Sequence, residues 1–340
     1  MKHLVIGGAG FIGSNLAHTL LSQGDSVTVL DNLSRSGSLK NLDWLRSQHQ
    51  NLEFVQADIV KDQEVLNQVV NSADRIYHLA AQVAVTTSVT DPRHDFEVNA
   101  LGTFNVLEAL RLFNPKSTLI FTSTNKVYGG MEDVAITESD TRYSYRDFSG
   151  ISETYPLDFH SPYGCSKGCG DQYVRDYSRI YGLNTIVFRQ SCIYGPRQFG
   201  VEDQGWVAWF VIALMTGQPI TIYGDGKQVR DLLYVDDLIR AYQMAADNIA
   251  KTRGQVFNLG GGPANSISIY FDFKKLLEKL FQKDITAPFA PARPGDQKIF
   301  VTDIAKAKKY FNWEPQVDVA TGLNNLYLWV KDNLSLFSHD

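Results

Sequence analysis

Tyr163 and Lys167 lie four positions apart and could together move a proton. This spacing places a phenol and an ammonium one turn apart on the same face of a helix. Free tyrosine has a pKa of about 10, so it is a poor base at neutral pH. A neighbouring positive charge favours the phenolate and lowers that pKa. The pair could therefore accept the proton of an alcohol.

A Tyr-x-x-x-Lys spacing occurs often by chance, so its meaning depends on a second feature. That feature is the loop Gly7-Gly-Ala-Gly-Phe-Ile-Gly13, which lies between an apolar run and a helical segment. Glycines in this context permit a tight turn and let backbone N–H groups approach a pyrophosphate at the helix N-terminus. We expect a bound dinucleotide, with its diphosphate at Gly7, Gly10, Phe11, Ile12 and Gly13.

The carboxylate of Asp31 follows the loop and ends the second apolar run. A carboxylate at this place can hydrogen-bond the adenosine ribose and repel a 2′-phosphate, which predicts NAD rather than NADP. Arg35 lies nearby and leaves NADP open as an alternative. Ligands of open α/β sheets bind beyond the carboxyl ends of the strands. The further cofactor contacts predicted on this ground are Asn32, Ser34, Arg35, Asp58, Ile59, Leu79, Ala80, Gln82, Asn99, Thr122 and Gln190.

A nicotinamide cofactor would make hydride transfer the chemistry of the tyrosine and lysine pair. The positive ring of oxidised nicotinamide adds a second charge that favours the phenolate. The phenolate can then take the proton of a sugar hydroxyl while its carbon loses hydride. Thr124, at the end of the run Phe121-Thr-Ser-Thr124, could hydrogen-bond the reacting hydroxyl, or could merely cap the strand end. The predicted catalytic residues are Thr124, Tyr163 and Lys167.

The elements that must position these residues follow an alternating pattern. Short apolar runs alternate with segments of helical period, which is typical of a parallel sheet with crossover helices. The predicted strands are residues 3–6, 26–30, 52–56, 75–80, 118–122 and 185–189. The predicted helices are residues 11–21, 63–70, 99–113, 163–181, 206–215, 235–246 and 269–281.

This pattern predicts an α/β fold with two parts. We expect a Rossmann-type doubly wound parallel sheet and a smaller mixed α/β substrate-binding lobe on the C-terminal side. Residues 1–189, with returning segments near 230–260, are expected to form the NAD-binding domain. Residues 190–229 and 261–340, where prolines interrupt the pattern, are expected to form the substrate-binding lobe.

Composition argues against several classes of partner. The 340 residues are 44% hydrophobic and 20% charged, as in ordinary soluble globular proteins. A net charge of −5 provides no general attraction for nucleic acid or a membrane surface. The longest apolar run, residues 206–215, is half the length that spans a bilayer. The start, Met1-Lys-His-Leu-Val-Ile6, leads directly into a strand, so we expect no signal peptide and a cytoplasmic protein.

The three cysteines, Cys165, Cys169 and Cys192, are too few for a disulfide framework in a chain of this size. Cys165 and Cys169 share a helical face. No second Cys or His pair follows at metal-binding spacing. We therefore expect no metal site.

These residues together resemble the extended short-chain dehydrogenase/reductase family, the sugar-nucleotide epimerases and dehydratases. The resemblance implies that Thr124, Tyr163 and Lys167 are catalytic. It also implies that Arg230 and Arg293 contact the diphosphate of a nucleotide sugar, since a planar guanidinium can donate two parallel hydrogen bonds to phosphate oxygens. It covers nearly the whole chain, through the glycine loop, Asp31-Asn32, Asp58, Tyr163/Lys167, Tyr194-Gly-Pro-Arg197, Arg230-Asp231 and Arg293-Pro-Gly-Asp296.

Differences from the general family pattern narrow the expected activity. The 4,6-dehydratases carry an Asp-Glu pair directly after the catalytic threonine, whereas this chain has Asn125-Lys126. This difference argues against dehydration. Four stretches, residues 123–129, 157–167, 199–210 and 226–231, resemble the branch of the family that inverts C2 of CDP-sugars.

The resemblance to that branch implies a transient 2-keto sugar. NAD⁺ takes hydride from C2, the keto sugar reorients, and NADH returns hydride to the other face with no net redox change. Tyr163 would act as base and then as acid, while Lys167 would lower its pKa and hold the nicotinamide ribose. The expected substrate contacts are Thr124, Asn125, Ser191, Cys192, Gln204, Gly205, Arg230 and Arg293.

Other functions stay open on these grounds. A UDP-sugar 4-epimerase of the same family would use identical chemistry at another carbon, and a net dehydrogenase is also possible. A non-catalytic NAD(H)-sensing protein is disfavoured, because such a sensor would be expected to lose Tyr163 or Lys167. In this family the helix that carries the tyrosine often pairs with a partner subunit, so we expect a homodimer or a larger homo-oligomer.

Overall fold

The structure, a computed structural model, describes residues 1–293 and 296–337. Pro294 and Gly295 of the arginine-containing motif, and the last three residues of the predicted second lobe, lie outside the described residues. The strands are β1 (Lys2–Ile6), β2 (Ser26–Asp31), β3 (Glu53–Gln56), β4 (Arg75–His78), β5 (Thr118–Thr124), β6 (Ile136–Glu138), β7 (Tyr143–Tyr145), β8 (Asn184–Gln190), β9 (Cys192–Tyr194), β10 (Ile222–Tyr223), β11 (Val229–Tyr234), β12 (Val256–Leu259), β13 (Ser266–Ser268), β14 (Phe289–Ala290) and β15 (Ile299–Phe300).

The helices fill the connections between these strands. They are α1 (Phe11–Ser22), α2 (Ser38–Gln48), α3 (Gln63–Asn71), α4 (Val85–Thr90), α5 (Pro92–Phe96), α6 (Gly102–Phe113), α7 (Ser161–Tyr181), α8 (Trp206–Thr216), α9 (Val235–Asp247), α10 (Ile249–Thr252), α11 (Phe271–Phe281), α12 (Ala305–Phe311) and α13 (Val319–Asp332). A π-helical turn (Glu97–Leu101) joins α5 to α6, and 3-10 turns occupy Asn125–Tyr128, Pro263–Asn265 and Leu334–Leu336.

The largest sheet contains seven parallel strands in the order β12-β8-β5-β4-β1-β2-β3. Six of them coincide with the predicted strands to within a few residues. The strand order reverses direction between β1 and β4. At such a point, open α/β sheets form a ligand-binding crevice beyond the carboxyl ends of their strands. The predicted doubly wound parallel sheet is confirmed.

A smaller mixed lobe follows β8. Its principal sheet has the order β13-β11-β15, with β9 also paired to β11, and β10 pairs with β14. Three helices bury Val211 of α8, Phe273 of α11 and Leu326 of α13 in one apolar core against these strands. The predicted mixed α/β lobe is therefore confirmed as a fold. Its role in substrate binding stays a prediction.

The chain crosses between the two parts more than once. After β11, which belongs to the smaller lobe, α9 packs against α1, and β12 extends the seven-stranded sheet beside β8. The segment 229–234 therefore lies with the smaller lobe, while the segment 235–259 returns to the large sheet. The space between the two sheets, which these crossings border, is called the cleft below.

The longest apolar run of the sequence forms α8, which is 11 residues long and is buried largely in the core of the smaller lobe. Across residues 1–293 and 296–337, no helix is long and apolar enough to cross a membrane.

Helix α7 is held closely against β5, a strand that is buried along its whole length. A Cβ at Gly170 would lie 2.9 Å from the Phe121 ring, so the missing side chain allows this approach. At the same level the Arg189 guanidinium of β8 donates two hydrogen bonds to the Asp171 carboxylate of α7, at 2.8 and 2.9 Å. Both side chains are buried. The face of α7 that carries Tyr163 is thus fixed relative to the end of β5.

Candidate active site

The glycine loop between β1 and α1 is shaped by contacts that exclude a side chain at three of its glycines, Gly7, Gly8 and Gly13. A Cβ at Gly7 would lie 2.5 Å from the Ala80 nitrogen, and one at Gly13 would lie 2.2 Å from the Gly7 oxygen. Gly7 also has a φ of +79°. At Gly10 the nearest atom to such a Cβ is 3.2 Å away, and no second contact occurs within 4 Å. The open side of Gly10 is therefore where a ligand can approach the backbone.

Helix α1 begins at this loop with an uncapped N-terminus. Gly10 precedes the helix in an extended conformation, and no side chain caps it. The N–H groups of the first turn have no acceptor within the helix, and they lie at the positive end of its dipole. Phe11 and Ile12 contribute such N–H groups while their side chains pack against the core. This arrangement suits a phosphate group.

Asp31 lies at the end of β2, buried beside the loop. Its carboxylate accepts hydrogen bonds from the N–H groups of Ala9 at 3.0 Å and Leu33 at 2.8 Å. Burial raises the pKa of Asp31, although these two hydrogen bonds partly oppose the change. The carboxylate is oriented by the backbone and keeps lone pairs for hydroxyl donors such as those of a ribose.

Arg35 connects the loop after β2 to the substrate side of the cleft. Its guanidinium donates a hydrogen bond to Gln204 Oε1 at 3.0 Å. The same residue was the reason to keep NADP as an alternative. In the structure it bridges the two sides of the cleft, while the Asp31 carboxylate occupies the position predicted for ribose recognition.

The residues predicted for the adenine end form a connected polar edge, with one exception. Asn32 donates a hydrogen bond to the Asp58 carboxylate at 3.0 Å, and the Ser34 N–H donates to Asn32 Oδ1 at 3.1 Å. Ile59 is buried in the core of the large sheet, and its side chain packs against Gly102. The side chain of Ile59 therefore does not face this edge.

Asn99 holds the loop after β4 in place. Its Oδ1 accepts a hydrogen bond from the Gln82 N–H at 3.0 Å, and its Nδ2 donates to the Gln82 carbonyl at 3.0 Å. The same Nδ2 contacts Asp95 and Ser166, both at 3.1 Å. Because Ser166 belongs to α7, one buried amide couples this loop to the helix of Tyr163. Asn99 was predicted as a cofactor contact, and its described contacts are those of a positioning residue.

Two buried oxygens near the ends of β4 and β5, Gln82 Oε1 and Ser123 Oγ, have no partner within the described residues. Gln82 Nε2 donates to the Ala84 carbonyl at 2.8 Å, which fixes the direction of Oε1. The neighbouring Leu79 and Ala80 are half-buried. A buried oxygen without a partner costs free energy, so a ligand that brings donors fits here.

Tyr163 and Thr124 are brought together by α7 and β5. The Tyr163 side chain is 9% exposed at the base of the cleft. Burial raises the pKa of Tyr163 to about 12, and a hydrogen bond with the Thr124 hydroxyl partly lowers it. Two of the three predicted catalytic groups are therefore close enough to influence each other's protonation.

Lys167 lies one turn further along α7 and is 3% exposed. Its ammonium donates a hydrogen bond to the Thr122 carbonyl at 2.5 Å and lies 4.5 Å from the centre of the Phe121 ring. Burial lowers the pKa of Lys167 to about 8. In the protein without ligands, burial favours the neutral form of both groups. The expectation that Lys167 and the nicotinamide ring together lower the pKa of Tyr163 stays a prediction.

The polar side chains at the end of β8 make internal hydrogen bonds. Gln190 donates to the hydroxyl of the buried Tyr242, and Ser191 donates to the Asp231 carboxylate at 2.5 Å. Both Gln190 and Ser191 were predicted to lie near the ligands. They do lie beside the cleft, but these bonds direct their polar atoms into the protein.

Four of the predicted substrate residues line one pocket together with Trp206, namely Ser191, Cys192, Gln204 and Gly205. Gly205 has a φ of +79°, and no side chain caps α8, which begins after it. The pocket therefore lies at a helix N-terminus with free N–H groups. Burial raises the pKa of the Cys192 thiol, so it is a neutral group in this pocket.

Arg230 and Arg293 each pair with an aspartate at the edge of the cleft. Arg230 donates to the Asp296 carboxylate at 2.6 Å, and Arg293 forms an ion pair with Asp203 at 2.8 Å. A diphosphate at these arginines would have to share them with the two carboxylates or replace the carboxylates.

Two side chains that sequence reasoning did not select complete the site. Asp95 is fully buried and accepts a hydrogen bond from the Ser166 hydroxyl at 2.5 Å. Gln297 accepts one from Asn125, a predicted substrate contact, at 3.2 Å. The spacing of Asp95 and Asn99, four positions apart on one helical face, was the only local signal for the first. Gln297 has none, because its partner lies 172 positions away.

Comparison with known proteins agrees with this geometry. A model of the family described as GDP-mannose 4,6 dehydratase matches residues 4–326. The chain belongs to this family of extended short-chain dehydrogenases/reductases.

Several members of this reductase family are similar to the chain over nearly its full length. It is 48% identical over 336 residues to the CDP-paratose 2-epimerase of Salmonella typhi, which covers 97% of this chain and 99% of the relative. It is 35% identical to the UDP-glucose 4-epimerase of Mycolicibacterium smegmatis, over 95% of this chain and 96% of the relative. The structure of UDP-glucuronic acid 4-epimerase from Bacillus cereus, in complex with UDP-glucuronic acid and NAD, is similar with a TM-score of 0.84 at 30% identity, covering 98% of this chain and 99% of that one.

The residues of this chain fit a dinucleotide. The open backbone at Gly10 and the uncapped α1 suit its diphosphate, and Asp31 suits an adenosine ribose. The unpartnered oxygen of Gln82 lies beyond the end of β4, beside the place at which the strand order of the large sheet reverses. Each of these features would be satisfied by a different part of one extended cofactor.

The two glycines with different surroundings give a matched pair of variants. Gly10→Ala should fold normally, because φ of −72° and ψ of 178° suit alanine, but should weaken NAD binding about tenfold or more by blocking the diphosphate. Gly13→Ala should lower the free energy of unfolding, because its Cβ meets a carbonyl oxygen. Thermal unfolding and NAD titration would check both. Normal NAD affinity in a folded Gly10→Ala protein would contradict this placement of the diphosphate.

The buried Lys167 should reduce stability at neutral pH. Its pKa falls from 10.5 to about 8 on folding, so the penalty is complete below pH 8 and fades as pH rises toward 10.5. Lys167→Met should raise the free energy of unfolding at pH 7 by about 1 to 3 kcal/mol, while catalysis is lost. Urea unfolding at pH 7 and pH 10 would test this, with the exposed Lys298→Met as control. A destabilised Lys167→Met protein at pH 7 would show that the bond to Thr122 outweighs burial.

Proposed function

We propose that this protein is an NAD-dependent nucleotide-sugar epimerase that inverts C2 of a CDP-sugar, interconverting CDP-paratose and CDP-tyvelose. The observation that carries the proposal is the burial of Tyr163, Thr124 and Lys167 together where α7 meets the end of β5, with Lys167 one turn after Tyr163 on α7. Such a group can exchange a proton with a sugar hydroxyl out of contact with water. The 48% identity to a CDP-paratose 2-epimerase supports C2 as the reacting carbon.

The residues at the base of the cleft would divide the proton chemistry among them. NAD⁺, when bound, supplies the hydride acceptor and a positive charge that offsets the effect of burial on the pKa of Tyr163. The Tyr163 phenolate takes the proton from the C2 hydroxyl and later returns a proton to the ketone oxygen on the other face. Thr124 orients that oxygen, and Lys167 holds the ribose next to the ring. Because hydride returns to C2 and a proton returns to its oxygen, the net change is inversion alone.

The residues after Thr124 support epimerisation over dehydration. Loss of water needs an acid and a base next to the reacting carbons. Here the two positions hold an amide, Asn125, and an ammonium, Lys126. The Asn125 amide is also committed to Gln297 at 3.2 Å. Neither residue can replace a carboxylate.

The second candidate is a UDP-sugar 4-epimerase, which the 35% identity to the enzyme of Mycolicibacterium smegmatis favours. It would use the same tyrosine, threonine and lysine at another ring carbon. A net dehydrogenase and an NAD(H) sensor have no comparable support. Incubation with a panel of CDP- and UDP-sugars, with the configuration at C2 and C4 followed by NMR, separates the two epimerases.

Replacement of the base should separate chemistry from cofactor binding. Tyr163→Phe should lower kcat by about 100- to 10,000-fold through loss of proton transfer, while bound NAD is unchanged. Tyr181→Phe, at the far end of the same helix, is the matched control. With wild-type protein, a CDP-sugar deuterated at C2 should yield transiently labelled NADH. An active Tyr163→Phe enzyme would exclude the phenolate mechanism, and label exchange from C4 alone would favour the second candidate.

We further propose that the protein is a homodimer formed through α6 and α7. Large apolar side chains are exposed along these two helices and the π-helical turn before them, namely Leu101, Phe104, Leu112, Phe113, Tyr173, Ile180 and Tyr181. Phe104 and Tyr173 pack edge to face across the two helices, with ring centres 5.9 Å apart. A contiguous apolar surface of this kind is typical of a protein–protein interface.

A charge in the middle of this surface should separate the subunits. Phe104→Glu should shift the mass in solution toward that of the 38.1 kDa chain, because a carboxylate would be buried without a partner. Leu328→Glu on α13, which is similarly exposed, is the matched control and should leave the mass unchanged. Light scattering after size exclusion would measure both. An unchanged assembly in the Phe104→Glu protein would place the interface elsewhere.

A further inference from the structure

Lys126 stands two residues after Thr124 and is tied to it through the backbone. The Lys126 N–H donates a hydrogen bond to the Thr124 hydroxyl oxygen at 3.2 Å, which begins the 3-10 turn that follows β5. Gln297 accepts a hydrogen bond from the preceding Asn125. The position of the Lys126 main chain is therefore fixed relative to the Thr124 hydroxyl.

The Lys126 ammonium lies in the cleft between groups from two other elements. Its Nζ is 4.0 Å from an oxygen of Asp296, and the side chain is 24% exposed. The same Asp296 oxygen accepts a hydrogen bond from Arg230 at 2.6 Å. The neutral thiol of Cys192 is close enough to interact with both cations. Asp231, next to Arg230 on β11, turns its carboxylate to Ser191 and the Gly262 N–H instead.

This cluster carries more positive than negative charge. Lys126 and Arg230 share the carboxylate of Asp296, so one positive charge in a largely buried place has no counterion among the described side chains that contact it. Charges are rarely buried unless they are paired. Burial, together with the nearby Arg230, lowers the pKa of Lys126 to about 8. An anion from a ligand would complete the cluster.

We propose that Lys126 binds the phosphate next to the sugar and thereby selects the ring carbon that faces Tyr163. This proposal rests on the proposed function, because it takes the ligand to be a nucleoside diphosphate sugar. The diphosphate is the anionic part of such a substrate and is attached to C1. C2 is bonded to C1, whereas C4 lies across the ring. A cation bonded to Thr124 through its backbone therefore holds the phosphate close to the reacting hydroxyl. In that position the C2 hydroxyl can reach Tyr163, whereas the C4 hydroxyl lies beyond it.

An ordinary surface ion pair does not account for Lys126. A partly exposed pair at 4.0 Å contributes little to stability. Asp296 already has a shorter bond to Arg230. The side chain is thus held in the cleft without a strong protein partner.

Affinities for CDP and for cytidine test the phosphate contact. Lys126→Met should bind CDP about tenfold more weakly, since a charge-assisted contact is lost, and should bind cytidine as wild type does. Lys126→Arg should restore CDP binding. Lys298→Met, an exposed lysine above the Tyr143 ring, is the matched control. Calorimetry of the four proteins with bound NAD gives the comparison, and deuterium exchange from C2 and C4 reports any change of reacting carbon in Lys126→Met.

The outcomes separate this proposal from the proposed function. Wild-type protein that binds neither CDP nor UDP would contradict the substrate class itself. Equal CDP affinity of wild type and Lys126→Met, with normal wild-type binding, would overturn the role of Lys126 alone. If Lys126→Met does not fold, the pH dependence still decides. Wild-type affinity for CDP should then fall between about pH 7 and 9, while that of Lys126→Arg stays constant because guanidinium remains protonated. Parallel profiles would refute the contact.

Discussion

The burial of Tyr163 and Lys167 in one pocket is the constraint on which the rest of the site depends. Burial moves the pKa of the phenol to about 12 and that of the ammonium to about 8, so the protein alone favours the neutral form of each. Around Lys126, two cations share one carboxylate. A cationic nicotinamide ring would favour the phenolate of Tyr163, and an anionic diphosphate would balance the excess positive charge at Lys126.

Such a pocket has to be held open by contacts that do not involve the ligands. The bidentate bond between Arg189 and Asp171 joins α7 to the sheet, and Asn99 joins α7 to the loop after β4. Both are buried polar networks whose members satisfy one another, and such networks fix a single arrangement more strongly than apolar packing does. The catalytic helix is therefore positioned from two sides before any cofactor contact is made.

The elements that carry the site could be predicted from the sequence, because strongly periodic segments and strand ends are local signals. Helix α2 and the strands β9, β11 and β12 are among the elements that were not predicted. α2 buries few apolar residues, and β12 is a four-residue run among loops. The residues proposed as catalytic followed from spacing at the end of β5 and the start of α7. The directions of the side chains could not be predicted from the sequence. Gln190 donates a hydrogen bond to Tyr242 and Asn125 donates one to Gln297, and these partners are 52 and 172 positions apart in the chain. Only the folded chain brings these partners together.

The two sides of the cleft are bonded to each other directly. Asn15 of α1 and Asn41 of α2 donate hydrogen bonds to the carbonyls of Pro196 and Arg197, at 3.0 and 3.2 Å. The loop that follows β9 therefore rests on the helices that surround the dinucleotide loop. A shift of that loop on substrate binding would have to break bonds to buried or half-buried side chains of the cofactor side. The sites proposed for the cofactor and for the substrate consequently share one wall, and this geometry suits a reaction in which hydride leaves and returns to the same sugar without release of the cofactor.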